Sequence, residues 1–304
     1  MEYLQLKSKI KIPALGFGPG IMGYSAKMQK SRSKIGSLFY RAINKFFIRP
    51  KHRKHFANSI KNALKIGYWL FDYSNTYENL KTVGKAIHDS GIPRNKLFIT
   101  TRIGNSSQFN NSVRIDFEKA LEEMGMEYVD LLQFHWPVTG KYIDTWKEMI
   151  KLKEEGKVKV LGVANCHPHH IEALEAATGV LPEINQIEVH PLFTQKSLIE
   201  YCREKGIVVE AYTPVARYDD RLVRLPVLKA LEKKYNKSFV QIVLRWHIQN
   251  GCIPVVRALS EKHQKENIDI FDFEISDEDM KLIDGININS RLRYDPDNCD
   301  FTIL

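Results

Sequence analysis

The chain predicts a single (β/α)8 TIM barrel with an N-terminal β-hairpin and a helical insertion after the first barrel strand, and three observations lead there. Short apolar runs alternate with segments of helical periodicity eight times over, the order that builds a parallel sheet with right-handed crossovers. Runs such as Tyr68-Trp69-Leu70-Phe71 are too short for helices and too continuous for surface strands, which suits strands covered on both faces. Asp72, Arg102 and His135 each follow or end such a run, at the carboxyl end of a strand where barrels of this kind collect their active-site groups. An open doubly wound sheet is the alternative fold.

Residues 3–13 alternate around Leu4, Leu6, Ile10 and Ile12 with a polar turn at Lys7-Ser8-Lys9 and read as the hairpin. Pro13-Ala14-Leu15-Gly16-Phe17-Gly18 is the first barrel strand, running into Gly18-Pro19-Gly20, where a ligand can approach the backbone closely. In the insertion, residues 21–54, the apolar positions Ile35, Leu38, Phe39, Ala42, Ile43, Phe46 and Phe47 recur at helical spacing with Lys34, Arg41, Lys45 and Arg49 between them. That is a basic amphipathic helix on the catalytic side of the barrel. It packs on the barrel rim, lies in a membrane surface or docks a partner protein.

A helix over 53–66 leads into the strand that ends at Phe71, and a helix over 80–90 is stopped by Gly91-Ile92-Pro93. The alternation continues with a strand over 96–101, a helix over 112–124, a strand over 128–134 delivering His135-Trp136-Pro137, and a helix over 142–155. Strands over 158–163, 183–189, 207–211 and 252–256 follow, with helices over 168–177, 196–205, 226–249 and 261–270 between and after them.

One domain spanning 1–304 is expected, since no Pro-, Gly- or Ser-rich linker divides the chain and barrels run to this length undivided. The hydrophobic fraction of 43% against 27% charged supports a sizeable core and excludes a disordered chain. Cys166, Cys202, Cys252 and Cys299 are widely separated without a C-x-x-C pair, which suits reduced thiols and a cytoplasmic protein. No secretory apolar segment and no membrane-spanning run is present.

The formal charge of +9 is uneven: 15 of the 45 basic residues, and none of the 36 acidic ones, lie between Tyr3 and Phe71. From Asp72 onward 30 basic residues face 35 acidic ones. Charge alone does not choose among phosphates, acidic sugars, anionic lipids and nucleic acid for that basic quarter; the partner expected from the site is a small molecule, not nucleic acid. Oligomeric state is not legible.

Asp72 is followed five residues on by Tyr77, which can fold back over it and aim two titratable groups at one spot. His167-Pro168-His169-His170 is the nearest approach to a metal cluster; it begins a helix and reads as capping, so no metal is expected. There is no Walker phosphate loop and no G-x-G-x-x-G.

Asp72, Tyr77, Glu78 and Asn79, continued by Val83-Gly84-Lys85-Ala86-Ile87, resemble the strand-two signature of the aldo-keto reductase family, and the later motifs follow in that family's order. The resemblance implies a four-residue site in which Tyr77 is the general acid, His135 helps bind and polarise a carbonyl, and Asp72 with a lysine tunes the tyrosine. At the lysine's position stands Arg102, in Thr100-Thr101-Arg102-Ile103-Gly104. A free tyrosine titrates near ~10, and a neighbouring cation eases loss of its proton. A guanidinium supplies that charge, yet it prefers a two-pronged grip on a carboxylate such as Asp72.

Gly162-Val163-Ala164-Asn165, Asn185-Gln186-Ile187-Glu188 and Ala211-Tyr212-Thr213-Pro214 also look like family motifs. By resemblance Asn165 and Gln186 hold a nicotinamide carboxamide and Tyr212 stacks beneath the ring. Ile253-Pro254 matches, but Val255-Val256 stands where the family carries Lys-Ser for a ribose phosphate, and His263 takes a later arginine's place ahead of Glu266-Asn267. Arg257 or Lys262 can compensate, so the cofactor is NADP or NAD. The expected activity is NAD(P)H-dependent reduction of an aldehyde or ketone. The alternative is a non-catalytic nicotinamide-binding barrel that docks a membrane or partner through residues 21–54.

Overall fold

Eight parallel strands close on themselves in the order β10-β3-β4-β5-β6-β7-β8-β9: β3 Gly16–Phe17, β4 Leu70–Asp72, β5 Phe98–Ile103, β6 Val129–Phe134, β7 Val158–Ala164, β8 Ile184–Glu188, β9 Val208–Tyr212 and β10 Cys252–Val256. The structure is a computed structural model that describes residues 1–18, 20, 49–74, 76 and 79–303, with backbone alone for 49–52. Tyr77, Glu78, Pro19 and residues 21–48 of the insertion lie outside the described residues. The closed sheet settles the fold in favour of the (β/α)8 barrel.

An antiparallel hairpin, β1 Tyr3–Gln5 and β2 Lys11–Pro13, pairs Leu4 with Ile12. Its Leu6 and Ile12 join Leu70, Phe98, Leu131, Val160, Ile184 and Ile253 in one buried cluster. Those six belong to six different barrel strands, so the cluster is the barrel's inner layer and the hairpin is its plug. Side chains two residues apart on a strand share a face, and on four strands the inward face turns polar toward the carboxyl end: Leu70 to Asp72, Leu131 to Gln133, Ile184 to Gln186, Val208 to Glu210. An apolar floor therefore carries a polar mouth.

Around the strands the described α-helices are α1 Arg49–Ile66, α2 Leu80–His88, α3 Asn105–Phe109, α4 Val113–Met124, α5 Tyr142–Glu154, α6 Pro168–Thr178, α7 Lys196–Glu204, α8 Asp220–Val223, α9 Pro226–Tyr235, α10 Phe239–Gln249, α11 Glu261–Ile268 and α12 Asp277–Asp284. Phe71, Phe117, Trp146, Ile171 and Ile242 are among the fully buried side chains of this outer core. Helix α1 begins at Arg49, so the last six residues assigned to the insertion belong to the barrel. The span 226–249 is two helices; Ser238 starts the second with a capping box to Gln241, which satisfies two otherwise orphaned backbone donors. Among the described helices none is long and apolar enough to cross a membrane.

Gly84 fixes how closely α2 and α4 approach. A Cβ there would fall inside the van der Waals shell of the Met124 carbonyl, which as backbone cannot swing aside. We expect Gly84→Ala to destabilise the fold by about 2 kcal/mol, about 3 from overpacking less ~1 recovered from alanine's helix preference. A shift in the urea midpoint at constant slope checks it.

Candidate active site

Barrel closure brings together side chains far apart in sequence. Adjacent strands put Arg102 opposite Gln133 and Gln186 opposite Glu210, and Asp72 is registered against Thr100, two residues below Arg102. The Arg102 guanidinium donates through Nη2 to Asp72 Oδ2, through the same nitrogen to Gln186 Oε1 at 2.6 Å, and through Nε to Gln133 Oε1 at 3.2 Å. Gln186 Nε2 in turn donates to Glu210 Oε2 at 2.8 Å and Asp72 Oδ2 at 3.3 Å, and Gln133 Nε2 donates to Glu210 Oε2 at 3.2 Å. All five are buried. Gly162 makes room for this layer, since a Cβ there would meet Gln133 Cγ at 3.1 Å and the Ile184 carbonyl oxygen at 3.0 Å.

Arg102 pairs with Asp72 through Nη2 and Oδ2, but Asp72 Oδ1 has no hydrogen-bond partner among the described residues, so the expected two-pronged grip is not formed and Nε turns to Gln133 instead. A buried cation opposite a buried carboxylate is the arrangement that low polarity requires. Glu210 adds a second carboxylate to the same cation. Burial, and then the charge of Asp72, push the Glu210 carboxyl up to about 7.

His135 follows β6 at the mouth. Its backbone N–H donates to Ile103 O at 2.9 Å and its carbonyl accepts from Asn165 Nδ2 at 2.9 Å. Burial, then the guanidinium charges of Arg102 and Arg293, push its imidazole down to about 3. The ring is therefore neutral throughout the physiological range and carries one N–H and one lone pair.

Asn165 leaves β7 with φ of 59°, a left-handed conformation that asparagine tolerates better than most residues. Its Oδ1 accepts from Tyr212 Oη at 2.7 Å, which anchors the tyrosine ring at the end of β9. Burial, and then the charge of Glu188, hold the Tyr212 phenol well above its usual range, against the opposing charges of Arg293, Arg291 and Arg217. A flat ring over Tyr212 with phosphates near the guanidinium groups fits this donor set. Both amide hydrogens of Gln186 are taken by Asp72 and Glu210, so its contact to a ligand is limited to a lone pair on Oε1.

Arg257, His263, Glu266 and Asn267 gather separately, beyond β10 and along α11. Arg257 passes beside Gly20, and with Lys262 and His263 it is exposed around the helix N-terminus, which Ser260 caps by accepting from the His263 N–H. Glu266 is half-buried and Asn267 buried. Among the described residues no hydrogen bond joins this group to the Arg102 network.

The tail crosses the mouth. Glu188 accepts from the backbone N–H groups of Leu292 at 2.6 Å and Arg293 at 2.9 Å. Phe301 packs with Trp136 and Val138, and its carbonyl accepts from Asn105 Nδ2 at 3.1 Å. Asp297 meets His167 Nδ1 at 2.7 Å, with His169 and His170 beside it. The histidine motif thus fastens the tail, and the His167 N–H to His170 Nδ1 bond of 3.2 Å supplies the capping expected of it.

Gln133 and Glu210 are the residues that strand-end reading misses. Each is a polar side chain directly after an apolar pair, Leu131-Leu132 and Val208-Val209, two positions before a strand-end group, His135 and Tyr212. Period-two alternation was the available signal.

Residues 44–288 match the Aldo/keto reductase family. The chain is 38% identical over 243 residues to the 9,11-endoperoxide prostaglandin H2 reductase of Trypanosoma cruzi (strain CL Brener), covering 80% of this chain and 86% of that one. It is 40% identical over 243 residues to the glyoxal reductase of Bacillus subtilis (strain 168), covering 80% and 87%. The crystal structure of a Bombyx mori aldo-keto reductase in complex with NADP superposes with a TM-score of 0.82 at 29% identity, over 97% of this chain and 96% of that one. On these grounds the chain belongs to the aldo/keto reductase family, and with it to the NAD(P)-dependent oxidoreductases.

Proposed function

We propose that this protein reduces an aldehyde or ketone to the alcohol, with Tyr77 as the proton donor and NADPH as the preferred cofactor. The observation that carries the reading is the buried Asp72–Arg102 pair toward the carboxyl ends of β4 and β5, with Asp72 five residues ahead of Tyr77 in the sequence, beside a neutral His135. When bound, the reduced nicotinamide supplies a hydride to the carbonyl carbon. The chain's own residues supply the rest. Neutral His135 donates its N–H to the carbonyl oxygen, fixing its position and drawing electron density from the carbon. The Tyr77 phenol gives its proton to that oxygen as negative charge develops on it, and the Arg102 guanidinium stabilises the phenolate left behind. Asp72 holds the guanidinium in place. Asn165 and Tyr212 would hold the nicotinamide ring, and Phe301 of the tail, packed on Trp136, shields the carbonyl from water.

Small reactive aldehydes are the substrate class to try first, because a relative of 40% identity is named a glyoxal reductase. Mixing protein with NADPH and a panel that includes glyoxal and larger aldehydes should consume the cofactor's near-ultraviolet absorbance. Tight NADPH binding with no consumption on any carbonyl would favour a non-catalytic barrel instead.

The choice of NADPH rests on Arg257, Lys262 and His263, exposed around the N-terminus of α11, where positive side chains and unpaired backbone N–H groups suit a phosphate. Arg257→Ala is expected to weaken NADPH binding about tenfold, the loss of one charge-assisted hydrogen bond, and to leave NADH binding almost unchanged. Fluorescence titration with the two cofactors reads both.

A further inference from the structure

Glu210 takes no part in the reaction proposed above, yet it is wholly buried in the middle of the site. Its place explains an otherwise arbitrary orientation. A glutamine amide has one accepting and one donating end, and a guanidinium only donates. Gln133 and Gln186 must therefore turn Oε1 toward Arg102, as they do at 3.2 and 2.6 Å. Their donating ends then need an acceptor on the far side. Glu210 Oε2 is that acceptor for both, at 3.2 and 2.8 Å. One carboxyl oxygen orients two amides, and the two amides with Asp72 hold one guanidinium on three sides.

We propose that Glu210 is a positioning residue: through the amides of Gln133 and Gln186 it aims the Arg102 guanidinium, and its own proton sets the net charge of the site. The inference rests on the reductase reading for its effect on turnover, but not for the relay itself.

The charged groups facing Glu210 are Asp72 from β4 and Arg102 from β5; β6 and β8 present the two neutral amides, and its register partner on β10 is Ile253. Glu210 Oε1 has no hydrogen-bond partner among the described residues. A proton on Oε1 leaves Oε2 free to accept both amides, so protonation changes the charge and keeps the geometry. Asp72 and Arg102 cancel. An ionised Glu210 adds an unbalanced negative charge next to the cation that must stabilise the Tyr77 phenolate, and reduction slows. Since the carboxyl is pushed up to about 7 and His135 down to about 3, a change of rate near neutral pH is assigned to Glu210.

The test compares pH profiles of reductive kcat for the wild type, Glu210→Gln and Glu210→Asp. The wild type should lose rate on the order of tenfold as pH rises through the Glu210 midpoint, and Glu210→Gln, unable to ionise, should show no such step. Glu210→Asp keeps the charge but withdraws the oxygen from the amides, so the step persists while kcat falls on the order of 10- to 100-fold at every pH. Nitrogen NMR of the Gln133 and Gln186 side-chain amides in the wild type, which needs no variant and no substrate, should titrate near neutrality. A Glu210→Gln enzyme that retains the wild-type step, or amides that do not titrate, overturns the inference. A wild type that reduces no carbonyl at any pH overturns the reductase reading, and the amide titration still decides whether Glu210 runs the relay.

Discussion

Tyr77→Phe is expected to lower kcat for carbonyl reduction on the order of 10³-fold while NADPH affinity stays within a factor of two, because a positioned general acid contributes about 10²- to 10⁴-fold. The substitution removes one hydroxyl and nothing else that binds cofactor in the proposed arrangement. Loss of kcat and kcat/KM by the same factor is the signature of an interaction made only in the transition state. Solvent deuterium should slow the wild type and leave the residual activity of the variant unaffected. A variant within tenfold of the wild type would remove Tyr77 from its role, and the donor would then be sought among the groups around His135.

The second large effect is on folding. Arg102→Met removes the buried cation that faces Asp72 and, through the glutamines, Glu210. Leaving a buried charge without its partner costs about 3 to 5 kcal/mol. The sign with pH follows from Glu210, whose carboxyl is already pushed up to about 7 with the Arg102 charge pulling it down. Without the guanidinium it rises further, so near and above neutrality the folded variant holds a proton that its unfolded chain has released. The charge part of the variant's deficit against the wild type therefore grows as pH rises above about 7, where the wild-type carboxyl ionises beside its cation. Arg102→Lys keeps the countercharge and gives up the Nε bond to Gln133, for a loss of about 1 kcal/mol. Urea unfolding of both variants across pH checks it: a deficit independent of pH would mean that packing, not charge, dominates.

The alternation of strands and helices was legible because barrel strands are covered on both faces, so each is a dense apolar run. Asp72, Arg102 and His135 were legible because polarity at a strand end stands out against such a run. Gln133 and Glu210 did not stand out. Their meaning depends on partners 77 residues apart, joined only when the sheet closes and its register is fixed. Helix α3 is a single turn with no period to read, and α12 follows the last barrel unit, although Ser276 ahead of three acidic residues is a helix-start pattern. Asp297 carries no local hint that it meets His167, 130 positions earlier, with His169 and His170 beside it.

The two termini lie at opposite ends of the cylinder. Residues 3–13 seal the bottom, with Glu2 tied to Arg245 at 2.7 Å, whereas Phe301 is wedged at the rim against Trp136. An affinity tag, a fluorophore or a tether to a sensor surface belongs on the amino end, where it hangs away from the entrance; a carboxy-terminal fusion would pull Phe301 from its seat and crowd the polar mouth of the barrel.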